Sequence, residues 1–202
     1  MKPIERGEIL GLAEYEQVRE RFRGRVIEAK KRRRVVVGPK VSVVFENRDT
    51  VLLQIQEMLR TERITRADAV QHELDTYNEL LPGQNELSCT LMVEIADKAE
   101  RDAFLAAAKG LEKHVWLVAG SLRMGARSIE RGLGLDGVAD RTTAVHYLKF
   151  SVPARLSVAL HGAAAGEATM THLELAIDHP AYEARAPLPA EAILEVGQDL
   201  GA

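Results

Sequence analysis

A run of four polar residues separates an apolar strand pattern, residues 41–45, from the helical pattern that follows it. The four residues are Glu46, Asn47, Arg48 and Asp49. The free N–H groups and the positive dipole end of the new helix would lie beside them, and both favour a polar or anionic group. Ion pairs and hydrogen bonds within the protein would explain the same pattern, because polar groups between two buried elements need partners. The junction is therefore a candidate binding site for a small molecule or an anion.

A second candidate cluster closes the last predicted strand, where Asp178, His179 and Tyr182 surround Pro180. A carboxylate, an imidazole and a phenol at a strand end could exchange protons with a substrate or hold a ligand. A simple turn explains the same residues, because Pro180 biases His179 toward an extended backbone. We predict these three residues as possible ligand contacts and assign no catalytic residue.

Metal and redox chemistry have little support in the sequence. The six histidines share no HxxxH, HxH or ExxH spacing, and the single cysteine, Cys89, excludes a CxxC pair and a four-cysteine iron–sulfur site. Gly132, Gly134 and Gly137 match GxGxxG but follow no parallel strand and open no helix, so we predict a glycine-rich loop there. The sequence therefore predicts no metal site and no cofactor.

Hydrophobic periodicity predicts an α+β protein in two parts. Residues 1–85 are predicted to be helical with a short β-hairpin at residues 34–45. Residues 86–202 repeat a strand, helix, strand pattern twice, at residues 88–119 and 144–178. Two such units predict a ferredoxin-like βαββαβ antiparallel sheet with helices on one face. The two parts could also pack as one domain. Either the N-terminal helices or a second subunit could cover the open face of the sheet, and we predict a homodimer.

The composition and charge of the chain indicate which classes of partner and which cellular location to expect. The chain has a net charge of −3, one Trp, four Tyr and four Phe, so it lacks both the positive field and the stacking surfaces of a nucleic-acid binder. No apolar run approaches the roughly 18 to 20 residues of a membrane helix. The first ten residues carry charges where a signal peptide is apolar. We therefore predict a cytoplasmic protein that contacts neither nucleic acid nor membrane.

Several segments together resemble a bacterial family of proteins of unknown function. The segments are KRRRVVVGP, FENRDTVLLQIQEMLRTERI, LDTYNELLPG, DHPAY and PLP. The resemblance covers nearly the whole chain and implies genes that lie near those for rubrerythrin-like proteins and for iron–sulfur proteins related to heterodisulfide reductase. It implies a setting in redox or oxidative-stress metabolism and no known activity.

Three functional hypotheses follow. The first is a non-catalytic accessory protein, a homodimer, that binds a rubrerythrin-like or iron–sulfur partner. The second is a small-molecule or anion binder with its site at residues 46–49. The third is an enzyme that uses Asp178, His179 and Tyr182.

Overall fold

Eight antiparallel strands curl into one nearly closed barrel. The computed structural model describes residues 1–129, 141–167 and 172–201. The strands are β1 (Arg34–Val37), β2 (Val41–Glu46), β3 (Glu86–Val93), β4 (Val115–Ala119), β5 (Leu122–Ser128), β6 (Val145–Ser151), β7 (Glu174–His179) and β8 (Tyr182–Pro187). Their order around the barrel is β1-β2-β3-β6-β5-β4-β7-β8.

The seam between β1 and β8 is bridged by one side chain. The Tyr182 hydroxyl donates to the carbonyl oxygen of Val37 at 2.6 Å and accepts from the N–H of Lys40 at 3.2 Å. Gly38, at a φ of 69°, makes this approach possible, since a Cβ there would lie 2.5 Å from the Tyr182 hydroxyl oxygen. Both ends of the strand order are therefore held together at this point.

Helices surround the barrel and close its ends. Within the described residues they are α1 (Leu12–Arg32), α2 (Arg48–Thr61), α3 (Ala67–Asn78), α4 (Lys98–Ala107), α5 (Ala154–Ala164) and α6 (Ala190–Leu200). One end lies under α4, where the rings of Phe104 and Tyr182 meet edge-on with centroids 5.5 Å apart. Helices α5 and α6 cover the other end and contribute Leu160 and Val196 to the core. None of the described helices has the length and apolar character that crossing a membrane requires.

Side chains alternate along the strands, so that one side of each strand fills the barrel. In β2, for example, Val43 and Phe45 are fully buried in the interior cluster that also contains Leu91 and Leu117 of other strands. A second apolar cluster lies outside the barrel, where α2 and α3 pack together and against Tyr147 of β6. The barrel is thus a filled core, and any ligand must bind at its ends or on its outer face.

The predicted ferredoxin-like βαββαβ sheet is wrong. The four strands assigned to it are β3, β4, β6 and β7, yet β5 lies between β6 and β4, and β7 pairs with β4 and β8 instead of β3. The edge of β3 is occupied by β2, which pairs with it from Val41 to Glu46. The predicted N-terminal hairpin is present, but it belongs to the same barrel as the C-terminal strands.

The missed strand β8 explains much of this error. Its inward residues after Tyr182 are Ala184 and Ala186, and charged residues alternate with them, so its hydrophobic signal is weak. Strand β5 similarly carries Gly125 and exposed arginines. Small inward side chains suit a barrel that must also hold the apolar residues of three helices.

Candidate functional site

Three of the four junction residues, Asn47, Arg48 and Asp49, make hydrogen bonds or ion pairs near the protein surface. Asn47 caps α2: its side-chain oxygen accepts the N–H of Thr50 at 3.0 Å, and Thr50 Oγ1 accepts the N–H of Asn47 at 2.9 Å. Arg48 donates to both carboxylate oxygens of Glu8, at 2.5 and 2.6 Å. Asp49 lies 3.3 Å from an Arg25 nitrogen at the surface.

Glu46 differs from the other junction residues because it is buried, with 2% exposure. Its Oε1 accepts the Thr90 hydroxyl at 2.6 Å, whereas Oε2 has no hydrogen-bond partner among the described residues. The structure therefore does not gather the four residues into one pocket. A ligand role at this junction stays a prediction, and Glu46 is the residue whose surroundings favour it.

Asp178 belongs to a surface cluster on the outer face of the barrel. Its carboxylate accepts from Trp116 Nε1 at 2.8 Å and from Arg123, and it lies 3.3 Å from His114 Nδ1. The Arg123 guanidinium stacks over the Trp116 ring, 4.1 Å from its centroid. The hydrogen bond from Trp116 and the contacts with Arg123 and His114 lower the pKa of Asp178.

His179 and Tyr182 point away from Asp178 into the barrel. His179 Nε2 lies 3.0 Å from the Lys109 carbonyl oxygen, so this nitrogen carries the proton, and Nδ1 accepts the N–H of Ala181 at 3.1 Å. The Tyr182 hydroxyl forms the hydrogen bonds with Val37 and Lys40 that close the barrel seam. The three residues are thus divided between the two faces of the barrel wall, and their predicted role as ligand contacts remains untested.

The strongest candidate site is a cleft at the α4 end of the barrel, which we name the mouth cleft. Its volume is about 440 Å³, and small-molecule sites commonly occupy roughly 300–1,000 Å³, often in the mouths of barrels. The charged and titratable residues that line it are Lys109, Glu112, Lys113, Arg141 and His146, and the hydroxyl residues are Ser128, Thr142 and Thr143.

His146 is the least exposed titratable group of the mouth cleft, with a side chain that is 10% exposed. Its Nε2 lies 3.0 Å from the Thr142 hydroxyl, and its Nδ1 lies 4.0 Å from a Glu112 oxygen. Burial lowers the pKa of His146, and Glu112 only partly opposes this effect. The imidazole is therefore neutral near pH 7 and can accept a hydrogen bond or a proton.

Among the charged side chains that line the mouth cleft, three are positive and one is negative. The positive ones are Lys109, Lys113 and Arg141, and the negative one is Glu112. Arg141 is held by Asp102 at 3.1 Å, whereas Lys113 is exposed and has no ion-pair partner within the described residues. Such a cleft can attract an anion and hold it with charge-assisted hydrogen bonds.

Sequence reasoning missed the mouth cleft because its residues come from three separate segments. Lys109 to Lys113 follow α4, Ser128 ends β5, and residues 141–143 precede β6. Only the barrel topology brings these segments together. The predicted glycine-rich loop at Gly132, Gly134 and Gly137 lies outside the described residues.

Other functional predictions concern metals, thiols and partners. In the described part of the chain, no group of three or more His, Cys, Asp or Glu side chains could hold a metal ion. Burial raises the pKa of the Cys89 thiol, which suits an unreactive core residue. The homodimer and the redox partner involve other molecules, so both stay predictions.

Comparisons with known proteins give a family and a related structure. The family model described as "Protein of unknown function (DUF3501)" matches residues 3–200. A crystal structure of a novel protein of unknown function from Burkholderia pseudomallei K96243 is 33% identical, covers 98% of this chain and 100% of that chain, and superposes with a TM-score of 0.88. No curated protein matches the chain. The predicted resemblance to a family of unknown function is thereby confirmed, while the implied gene setting stays a prediction. The chain belongs to the DUF3501 family of proteins of unknown function.

Proposed function

We propose that this protein binds a small oxyanion, a carboxylate or a phosphate, in the mouth cleft. The observation that carries the proposal is that three positive side chains and one negative side chain line a cleft of about 440 Å³, which also holds a histidine of low exposure. This function belongs to the same class as the predicted small-molecule or anion binder, but its site lies at the barrel mouth.

Each part of the mouth cleft has a defined task in this proposal. Lys113 is exposed and can reach an incoming anion, while the contact with Asp102 holds Arg141 in place at the rim. Thr142 and His146 form a polar floor that orients the bound group. Because hydrogen bonds to charged groups are stronger than neutral ones, such an arrangement favours oxyanions over neutral ligands.

The proposal is tested by calorimetry and thermal unfolding with sulfate, phosphate and malonate at constant ionic strength. A ligand at a hundred times its Kd should stabilise the protein by about 2.7 kcal/mol. Lys113→Ala and Arg141→Ala should each weaken binding at least tenfold. The matched controls are Lys30→Ala on α1 and Arg155→Ala on α5, which remove the same charges away from the cleft.

Two results would contradict the proposal. One is an equal response to all three anions and to chloride, which would indicate general ionic screening instead of a site. The other is unchanged affinity in both cleft variants. The three anions also separate the ligand classes, because preferential binding of malonate indicates a carboxylate ligand and preferential binding of phosphate indicates a phosphate ligand.

A further inference from the structure

Four polar residues lie side by side across the outer face of the barrel. In the register of the strands, each stands directly opposite the next, in the order Glu46, Ser88, Lys149, Arg127. Their strand neighbours Phe45, Cys89 and Leu148 point into the core, so the four polar side chains point outward. We name these four residues the transverse polar row.

The inner end of the transverse polar row is buried and incompletely hydrogen-bonded. Glu46 is 2% exposed and Ser88 is 1% exposed. Among the described residues, neither Glu46 Oε2 nor Ser88 Oγ has a hydrogen-bond partner. A buried carboxylate requires a positive charge or a hydrogen-bond donor to compensate for lost hydration. Both atoms can accept hydrogen bonds, and a single ammonium group could donate to both.

The outer end of the row has the opposite electrostatic character. Arg127 and Lys149 contact the same carboxylate, Glu86, at 3.2 and 3.3 Å. Burial alone would raise the pKa of Glu86, but the Gly83 N–H and the two cations lower it, so Glu86 is ionised. Both cations thus contact one carboxylate. With Glu79, Ser128 and Ile129 they also line an open cleft of about 430 Å³, which gives Lys149 and Arg127 access to solvent.

We propose that the transverse polar row binds a small zwitterion, with its ammonium group between Glu46 and Ser88 and its carboxylate against Lys149 and Arg127. Adjacent strands lie about 4.8 Å apart, so the backbones at Glu46 and Lys149 are about 9.6 Å apart. The long side chains of Lys149 and Arg127 can shorten the span that the ligand must bridge, so the proposal favours an ω-amino acid of about four to six carbons over glycine. Glu46 and Ser88 do not line the open cleft, so the proposal requires the Lys149 side chain to shift for the ammonium group to reach them and then to contact the carboxylate.

The test measures binding of glycine, 4-aminobutanoate and 6-aminohexanoate by calorimetry, with butanoate and butylamine as singly charged controls. Affinity should depend on chain length, and the singly charged molecules should bind at least tenfold more weakly than 4-aminobutanoate or 6-aminohexanoate. Glu46→Gln and Arg127→Ala should each weaken binding of the preferred zwitterion at least tenfold. Glu183→Gln, an exposed carboxylate on β8, is the matched control and should bind like the parent.

Two further variants keep the result interpretable. Ser88→Ala removes one acceptor while preserving the carboxylate, so it should weaken binding even if Glu46→Gln does not fold. Lys113→Ala, in the mouth cleft, should leave zwitterion binding unchanged and thereby separates this site from the oxyanion site. Absence of binding at every chain length, or equal affinities for the zwitterions and butylamine, would overturn the proposal. Unchanged affinity in folded Glu46→Gln or Ser88→Ala would also overturn it.

Discussion

At the scale of single residues, neighbours in sequence can have opposite roles. Asn47 and Arg48 satisfy their polar groups within the chain, through the cap of α2 and the pair with Glu8. Glu46, one position earlier, is buried with an unpartnered oxygen in the described structure. The sequence identified the polar junction but could not separate these roles, because they depend on which strand or helix lies opposite each side chain.

His146 of the mouth cleft predicts pH-dependent anion binding. Burial lowers the pKa of His146 below its ordinary value of 6.5. As the pH falls through this lowered pKa, the imidazole becomes positive and joins the lysines and the arginine around the anion. Sulfate affinity should therefore increase toward acid pH. Sulfate is the suitable probe because its own charge stays constant over this range.

Variants at two histidines test this pH dependence by calorimetry between pH 5 and 8. His146→Gln should abolish the increase in sulfate affinity, whereas His72→Gln on the exposed face of α3 should keep it. Linkage also predicts that His146 lowers folding stability as the pH falls below 6.5, because the unfolded state takes up the proton first. A flat affinity profile in the parent protein would contradict the assignment.

Arg33 lies in a run of five basic residues, 30–34, but it is buried and has a structural role. It is 2% exposed and contacts Asp199 at 2.6 Å and Glu195 at 2.7 Å, both on α6. Arg33→Met should lower the free energy of unfolding by about 3–5 kcal/mol, because it leaves Asp199 buried without its cation. Arg32→Met, which removes an exposed contact with Glu195, should cost no more than about 1 kcal/mol.

Denaturant unfolding of these two variants and of a double variant measures the difference. Arg33→Met combined with Asp199→Leu should recover most of the lost stability, since no unpaired buried charge remains at that position. Equal destabilisation by Arg33→Met and Arg32→Met would show that the buried pair has no special role.

At the scale of elements, the contact between α5 and α6 depends on one glycine. A Cβ at Gly197 would lie 2.4 Å from the Leu160 carbonyl oxygen and 2.9 Å from the Ala164 Cβ. Gly197→Ala should therefore destabilise the protein by about 1–3 kcal/mol, despite the higher helix propensity of alanine. Gly24→Ala, on the exposed side of α1 with no atom within 4 Å of the new Cβ, should instead stabilise it by about 0.5–1 kcal/mol.

Thermal and denaturant unfolding of both glycine variants provide the comparison. Opposite signs are expected because the same substitution meets a packed helix in one case and solvent in the other. A stabilised Gly197→Ala variant would show that the two helices can separate without loss of core packing.

The helices were more predictable than the strands. Helix α1, Leu12–Arg32, lies in the segment that was predicted to be helical, and the basic residues in its last turn are a local signal for a helix C-terminus. Strand β8 has only alanines as inward neighbours of Tyr182, so it lacked the apolar alternation that marks a strand. The position of β5 between β4 and β6 depends on strand pairing that no local sequence pattern encodes.

At the scale of the whole molecule, barrel closure decides the position of both proposed sites. Insertion of β5 between β4 and β6 aligns Arg127 with Lys149, and the hairpin of β1 and β2 brings Glu46 opposite Ser88. The mouth cleft likewise needs the ends of β5 and β6 to meet the segment after α4. A ferredoxin-like sheet keeps β3 beside β6 but contains neither β2 nor β5, so it could not have placed Glu46 opposite Ser88 or Arg127 opposite Lys149.

The division into residues 1–85 and 86–202 remains a prediction that cooperative unfolding can test. The first segment supplies β1 and β2, which line the same core as the later strands, so we expect the whole chain to unfold in one transition. Trp116, the single tryptophan, lies in the second segment, whereas α1, α2 and α3 supply the helices of the first. Tryptophan fluorescence and far-ultraviolet circular dichroism should therefore give coincident denaturation curves. A helical signal that is lost at a different denaturant concentration from the fluorescence change would show that the two segments unfold as separate units.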